Sequence, residues 1–311
     1  VRFDVQHPVA DPAWSPAILQ PDALRRFARA AEESGFSGLG FTDHPAPSGK
    51  WVRGGGEGSV DPFAALAFCA AVTSSIRLVT WVLVLPYRNP FLTAHQVASL
   101  DVLSGGRLTL GLGTGYHRAE FLALGADPAR RLAVFDENLE VMRAVWAGEE
   151  QTRSGDGYDA RGIHPQQVPV QTPAPPVWLH GNSRWGRERA ARYGDGWVGV
   201  LTGDPLASVI RTAPMPDLDA LRRNVEEVRT LATDAGRDPA AVETVLGGNW
   251  PMLDARKGWD TAQLLEDVEE LRGIGVDRVV LTICGDDAGA AEDTVRRFGE
   301  EVLAAAAAPA G

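Results

Sequence analysis

The chain has 311 residues, 44% of them hydrophobic, with 41 acidic against 30 basic side chains and a formal net charge of −11. That balance argues against a general nucleic-acid binder, which carries a basic face, and no apolar run approaches the ~18 residues needed to span a membrane. Cys69 and Cys284 have no paired spacing, which argues against a disulfide scaffold or zinc ribbon and fits a reducing cytoplasm.

The start, VRFDVQHPV, lacks the basic-then-apolar pattern of a secretory signal. Val1 to Val5 predicts a strand ending near Gln6, His7 and Pro8. Asp22 to Ser34 predicts a helix, with Leu24, Phe27, Ala28 and Ala31 on one face, Pro21 before it and Gly35 after it. Phe36 to Thr42 predicts a strand that stops at Asp43-His44, and a glycine-rich loop, Gly49 to Gly58, follows. Asp61-Pro62 is an N-cap with proline at the first helical position. Ile76 to Leu85 is apolar and β-branched throughout, as a strand buried on both faces requires. Asn89-Pro90 opens the next helix, and Gly105-Gly106 ends it.

Arg107 to Phe121, RLTLGLGTGYHRAEF, begins as an alternating strand and dissolves into Gly111, Gly113 and Gly115. Such a strand end lets a ligand approach the backbone closely, or is an ordinary tight turn. Arg131 to Ala147 predicts a long helix. Gly148 to Pro176 breaks the rhythm and reads as an excursion with a short hairpin. Val177 to His180, Gly196 to Leu201, Val242 to Leu246 and Val276 to Ile283 predict four more strands. Helices follow each of them, the last over Ala288 to Ala304, and the alanine-rich end is expected to fray.

Eight strands alternating with eight helices predict a (β/α)8 barrel. A doubly wound sheet is disfavoured by the repeat count and by the lack of GxGxxG after the first strand. In a barrel, His7, His44, Pro86 to Asn89, Gly113 to His117, Gly181 to Ser183 and Asn249-Trp250 share the face where strands end. His44 there can bond a bound ring or exchange a proton near neutral pH, or be a structural histidine in a polar turn. His180-Gly181-Asn182-Ser183 offers a helix N-terminus to a phosphate, and Asn182 or Ser183 also serves as a plain cap. Arg184 and Arg187 either add charge there or line a solvated helix face. His117 and Arg118 either grip a phosphate or ribityl chain or make surface contacts. No HxxxH or HxH pair supports a metal site, and no G-x-S-x-G or Walker A motif supports a hydrolase or NTPase.

With these residues in place, the chain resembles the bacterial luciferase-like flavin and deazaflavin oxidoreductases over nearly its whole length. The resemblance is carried by IRLVTWVLVLPYRNPFLTAHQVASLDVLSGGRLTLGLGTGYHRAEFLALG, by RLAVFDENLEVMRAVW and by PAPPVWLHGNSRWGRERAARYGDGW. The subgroup it looks most like is labelled coenzyme F420-dependent, with the pattern Gly115, Tyr116, Glu120, Phe121. The resemblance implies a flavin-type ring at the carboxyl ends of the strands. It also implies a non-proline cis peptide near Trp81, Val82 and Leu83, and His44 beside the reactive part of the ring. Asn89, Gly113, Thr114, Tyr116, His117 and Gly181 are further cofactor-binding candidates, and Asn182, Ser183 and the amide of Gly186 match the family's phosphate seat. Trp51 and Trp250 are candidate walls of a substrate pocket. Three departures matter: Gly113 stands where luciferases have a reactive cysteine, Thr114 where they have a phosphate-binding arginine, and Tyr116 where sugar-phosphate dehydrogenases of the deazaflavin branch have a glutamate. These argue against light emission and against a sugar-phosphate substrate.

The expectation is one luciferase-like TIM-barrel domain over residues 1–311, cytoplasmic and homodimeric by family habit, acting on a small-molecule substrate without metal, nucleic acid or membrane. It would transfer hydride between coenzyme F420 and that substrate. The alternatives are an FMN-dependent two-component monooxygenase, with a separate reductase supplying reduced cofactor, and a non-catalytic flavin-binding barrel.

Overall fold

The computed structural model describes residues 1–248, 250 and 252–307, so Asn249, Pro251 and the last four residues of the tail lie outside the described residues. Its strands are β1 (Arg2–Gln6), β2 (Gly38–Phe41), β3 (Arg77–Val84), β4 (Leu108–Gly113), β5 (Gln151–Gly155), β6 (Tyr158–Ile163), β7 (Val177–His180), β8 (Gly196–Val200), β9 (Glu243–Gly247) and β10 (Arg278–Leu281). Eight of them close a barrel in the order β1-β10-β9-β8-β7-β4-β3-β2, and β5-β6 form a separate antiparallel hairpin inside the predicted excursion. Every barrel pair is parallel. The molecule is therefore a (β/α)8 barrel, as the alternation predicts.

The helices are α1 (Pro21–Glu33), α2 (Gly49–Arg53), α3 (Pro62–Val72), α4 (Pro90–Ser104), α5 (Arg118–Ala123), α6 (Arg131–Trp146), α7 (Arg184–Tyr193), α8 (Asp204–Val209), α9 (Leu218–Asp234), α10 (Thr261–Ile274) and α11 (Ala288–Phe298). Their starts follow local chemistry. The Asp61 carboxylate accepts from the amide of Ala64 at 2.8 Å, and the Asn89 side chain accepts from Phe91 and Leu92. The short helices α2, α5 and α8 were not foreseen, because five or six residues carry no usable periodicity.

Alternate strand residues face outward to pack on the helices, and the others fill the barrel. The interior holds Val79, Trp81, Trp178, Val198, Val245 and Val280. Beneath them Asp4 and Arg278 form a buried ion pair at 2.5 Å, and the guanidinium lies 5.1 Å from the centre of the Trp178 ring. Large interior side chains require bare backbone opposite. A Cβ on Gly247 would lie 2.7 Å from the Trp81 ring, and one on Gly38 would lie 2.6 Å from the Asp4 carboxyl carbon. These strand glycines are a packing requirement of the barrel as much as a turn chemistry.

Candidate active site

The carboxyl ends of the strands surround a cavity of about 620 Å³. One wall is built from the end of β2. Asp43 is buried, accepts from the amide of Val84 at 3.0 Å and pairs with Arg88 at 2.7 Å, which ties the β2 end to that of β3. Burial raises the Asp43 carboxyl above its ordinary pKa, and Arg88 and the amide partly offset that.

His44 follows, 7% exposed. Its Nδ1 lies 3.1 Å from Oε2 of Glu120 on α5, and its Nε2 lies 3.2 Å from Oε1 of Glu57. Glu120 is fully buried, and it also accepts from the Tyr87 hydroxyl at 3.2 Å and the Ala46 amide at 3.3 Å. Burial alone would lower the His44 pKa, but the hydrogen bonds and charges of Glu120 and Glu57 outweigh it and raise the pKa to about 9. At neutral pH the ring is an imidazolium clamped between two carboxylates. Both ring N–H groups are then donated, one to Glu120 and one to Glu57, so the ring exchanges a proton with the cavity only alongside the Glu57 carboxylate. The Tyr116 hydroxyl is 3.5 Å from the same Nε2, and burial raises its pKa.

The rest of the cavity is quieter. Trp81 and Val82, joined by a cis peptide, line it from β3, and Gly113 and Thr114 line it from β4. The β7–α7 side supplies His180, Gly181, Ser183 and Gly186. Burial lowers the His180 pKa to about 4, so that ring is neutral. The Ser183 hydroxyl caps α7 through the amide of Gly186 at 3.2 Å. A Cβ on Gly186 would lie 2.6 Å from the carbonyl oxygen of Gly181, so these two glycines let the first turn of α7 press against the strand end. Arg131 and Arg211 also line the cavity, and neither forms an ion pair among the described residues.

The structure thus brings His44, Trp51, Trp81, Val82, Gly113, Thr114, Tyr116, Gly181, Ser183 and Gly186 around one cavity. The following expected residues lie elsewhere. Leu83 is fully buried in the outer core, because β3 carries one extra residue against β4 between Thr80 and Leu83, which shifts its facing. The Asn89 side chain is spent on capping α4. His117 packs edge-on against Trp51 at 4.7 Å, one layer behind the wall. The Asn182 side chain is buried and bonded to Val200 and Ala213, so only its neighbours face the cavity. Trp250 stacks on Phe3 outside the barrel and donates to Asp267 of α10. Arg184 pairs with Glu188 on the exposed helix face, while Arg187, with a side chain only 12% exposed, pairs with Glu227 and donates to the Asn182 carbonyl, so neither lines the cavity. His7 is stacked on Phe41 at 4.7 Å and accepts from the amide of Val9. Glu57, Arg131 and Arg211 were missed. Only the glycine-rich loop around Glu57 gave any hint in the sequence.

These residues fit a flavin-type group. The volume lies within the roughly 300–1,000 Å³ of cofactor and ligand sites. An aromatic and aliphatic floor suits a planar ring, and a helix N-terminus with two arginines suits an anionic tail. Among the described residues no cluster of three or more His, Cys, Asp or Glu is placed to hold a metal.

Residues 1–252 match the luciferase-like monooxygenase family. An uncharacterized protein of Mycobacterium tuberculosis is 33% identical over 156 residues, 50% of this chain and 54% of that protein. The F420-dependent glucose-6-phosphate dehydrogenase of Gordonia bronchialis is 33% identical over 186 residues, 57% of this chain and 52% of the dehydrogenase. The chain thus spans about half the length of the curated relatives it matches. Among solved structures, monooxygenase RslO1 from Streptomyces bottropensis superimposes with a TM-score of 0.81 at 22% identity, over 99% of this chain and 100% of that one, a likeness of fold.

Proposed function

The chain belongs to the luciferase-like monooxygenase family of oxidoreductases, and we propose that it transfers a hydride between coenzyme F420 and a small organic substrate. One observation carries this reading: His44, held protonated between Glu57 and Glu120, faces the cavity. Moving a hydride to or from a carbon that bears oxygen requires a proton to move on that oxygen. A charged imidazole beside a carboxylate at the cavity wall supplies that capacity.

When bound, the deazaflavin would supply the hydride chemistry, and the protein's part is to orient, exclude water and handle the proton. Trp81, Val82 and Gly113 would hold the ring. Ser183, Gly186 and the first turn of α7, with Arg131 and Arg211, would hold the anionic tail. His44 and Tyr116 would face the reacting side, with Trp51 closing it.

The test is to incubate the purified protein with FMN and F420 together and identify the retained cofactor by absorbance spectrum and mass. F420 is expected. Retention of FMN alone would replace this reading with the two-component monooxygenase. Tight binding without turnover across a broad substrate panel would favour a cofactor carrier. If His44→Ala left both turnover and cofactor geometry unchanged, the role given to His44 would be wrong.

A further inference from the structure

Two carboxylates line the cavity, Asp43 and Glu57, and they are not equivalent. Asp43 is committed to Arg88 and to the amide of Val84. Glu57 has one partner among the described residues, Nε2 of His44 at 3.2 Å, and its side chain keeps 29% of its surface exposed. It therefore touches both the charged ring and the open volume.

The glycine-rich loop explains how it gets there. Helix α2 ends at Gly54, and Gly55 adopts a left-handed φ of +78°. Gly56 lies so close over the indole of Trp51 that a Cβ would stand 2.2 Å from Nε1. Gly58 donates to the carbonyl of Val9 at 3.0 Å, and a Cβ there would meet Trp14. The backbone folds flat over one tryptophan and is pinned beside another. Glu57, between these two glycines, is thereby turned toward His44.

The other groups around the ring cannot take its place. Glu120 is fully buried on the Nδ1 side and already accepts from Tyr87 and Ala46. Tyr116 approaches Nε2 at 3.5 Å as a neutral hydroxyl, Trp51 lies as a tilted ring beside His44, and His117 meets it edge-on.

We propose that Glu57 is the acid–base residue of this site, with His44 and Glu120 as the groups that position it. This rests on the hydride-transfer reading above. In the oxidative direction a substrate alcohol loses its O–H proton to the Glu57 carboxylate and its C–H hydride, with both electrons, to the oxidised deazaflavin, leaving a carbonyl. The proton then leaves to solvent from the exposed side of Glu57. The cluster of two carboxylates and one imidazolium carries one net negative charge beside the reacting carbon. It therefore selects an uncharged alcohol or carbonyl and disfavours an anionic one.

The experiment compares wild type, Glu57→Gln and Glu57→Asp. In the cofactor-free protein, a ¹⁵N NMR titration of the histidine rings should show the His44 midpoint lowered in Glu57→Gln; an unmoved midpoint overturns the contact. With F420 bound, reduction of the cofactor is followed with propan-2-ol, cyclohexanol and 1-phenylethanol, and with lactate as the anionic probe. Glu57→Gln should lose about 10²-fold or more in rate, with F420 affinity within threefold of wild type. Glu57→Asp should recover a substantial part of that rate, and lactate should be the poorest substrate. A Glu57→Gln rate within threefold of wild type overturns the assignment and leaves the hydride-transfer reading standing. A wild-type protein that binds F420 but reduces it with none of the alcohols overturns that parent reading, and the substrate role of Glu57 with it.

Discussion

Glu120→Gln isolates the buried half of the clamp on His44. The amide keeps the shape of the carboxylate and removes its charge. In the folded protein His44 has its pKa raised to about 9 although burial opposes it, because Glu120 and Glu57 hold the proton. An unfolded histidine titrates near 6.5. The folded state therefore binds the proton more tightly. The resulting stability is fully present below about pH 6.5 and is lost as pH rises through about 9. A gap of about 2.5 pH units, at about 1.4 kcal/mol each, is worth about 3.5 kcal/mol. Glu120 is fully buried at 3.1 Å from Nδ1, and a hydrogen bond to a charged group contributes about 1.5–3 kcal/mol, so its charge accounts for about half or more of that total. The assay is urea unfolding of wild type and Glu120→Gln at pH 6, 7.5 and 9. Groups common to both proteins cancel in the difference between the curves. Wild type should be the more stable by about 1.5–2 kcal/mol extra at pH 6 relative to pH 9. Parallel curves would refute the claim that Glu120 holds His44 protonated.

Gly247→Ala places a Cβ 2.7 Å from the Trp81 ring and should cost about 1–3 kcal/mol in urea unfolding. It should also weaken cofactor binding, since Trp81 floors the cavity; wild-type values for both would show that the ring moves aside freely. Ser183→Asp retains a good helix cap and adds a negative charge at the start of α7, so a phosphate-bearing cofactor should bind at least about tenfold more weakly by fluorescence titration. Unchanged affinity removes that helix from the phosphate seat. His7 is buried and neutral, with its pKa lowered by burial to about 3. The stability it contributes is present above about pH 6.5 and is lost as pH falls toward 3. His7→Asn, which can still accept from the amide of Val9, should flatten the fall in melting temperature between pH 6.5 and 4, and an equally steep fall would place the acid sensitivity elsewhere.

How much of this was legible in the chain depended on what each feature needs. Strand–helix alternation needs only local pattern, and it located the strand ends that carry His44, Gly113 to Tyr116 and Ser183. Which way a residue at a strand end faces needs register. Trp81 and Val82 are neighbours, yet the extra residue on β3 lets both face the cavity and sends Leu83 to the outer core. Trp250 follows β9 as expected but turns outward onto Phe3, a choice made by a partner 247 positions away in the sequence. Asn182 shows the same limit: HGNS reads as a phosphate seat, and the fold spends its amide on bracing β8 and the following loop. Glu57 was the least legible. Nothing periodic marks it, and its approach to His44 depends on Gly58 being held against Trp14 and Val9, contacts with a segment more than 40 positions away.

The distribution of charge around the mouth gives the cavity a direction. Glu57, His44 and Glu120 place a net negative cluster on the β2–α5 side, while Arg131 at the start of α6 and Arg211 just after α8 form no ion pair among the described residues. The chain as a whole carries a formal charge of −11, so an anion approaching it is repelled on average and is drawn in only where cations are grouped. An anionic tail can settle against α7 and the arginines, and the same tail turned round would meet two carboxylates. On the reading proposed above, a flavin-type group with one anionic tail would enter in one orientation, its ring over Trp81 and toward His44. The proposed acid–base cluster would then sit at the ring and not at the tail. An uncharged substrate pays no electrostatic penalty for sitting between them.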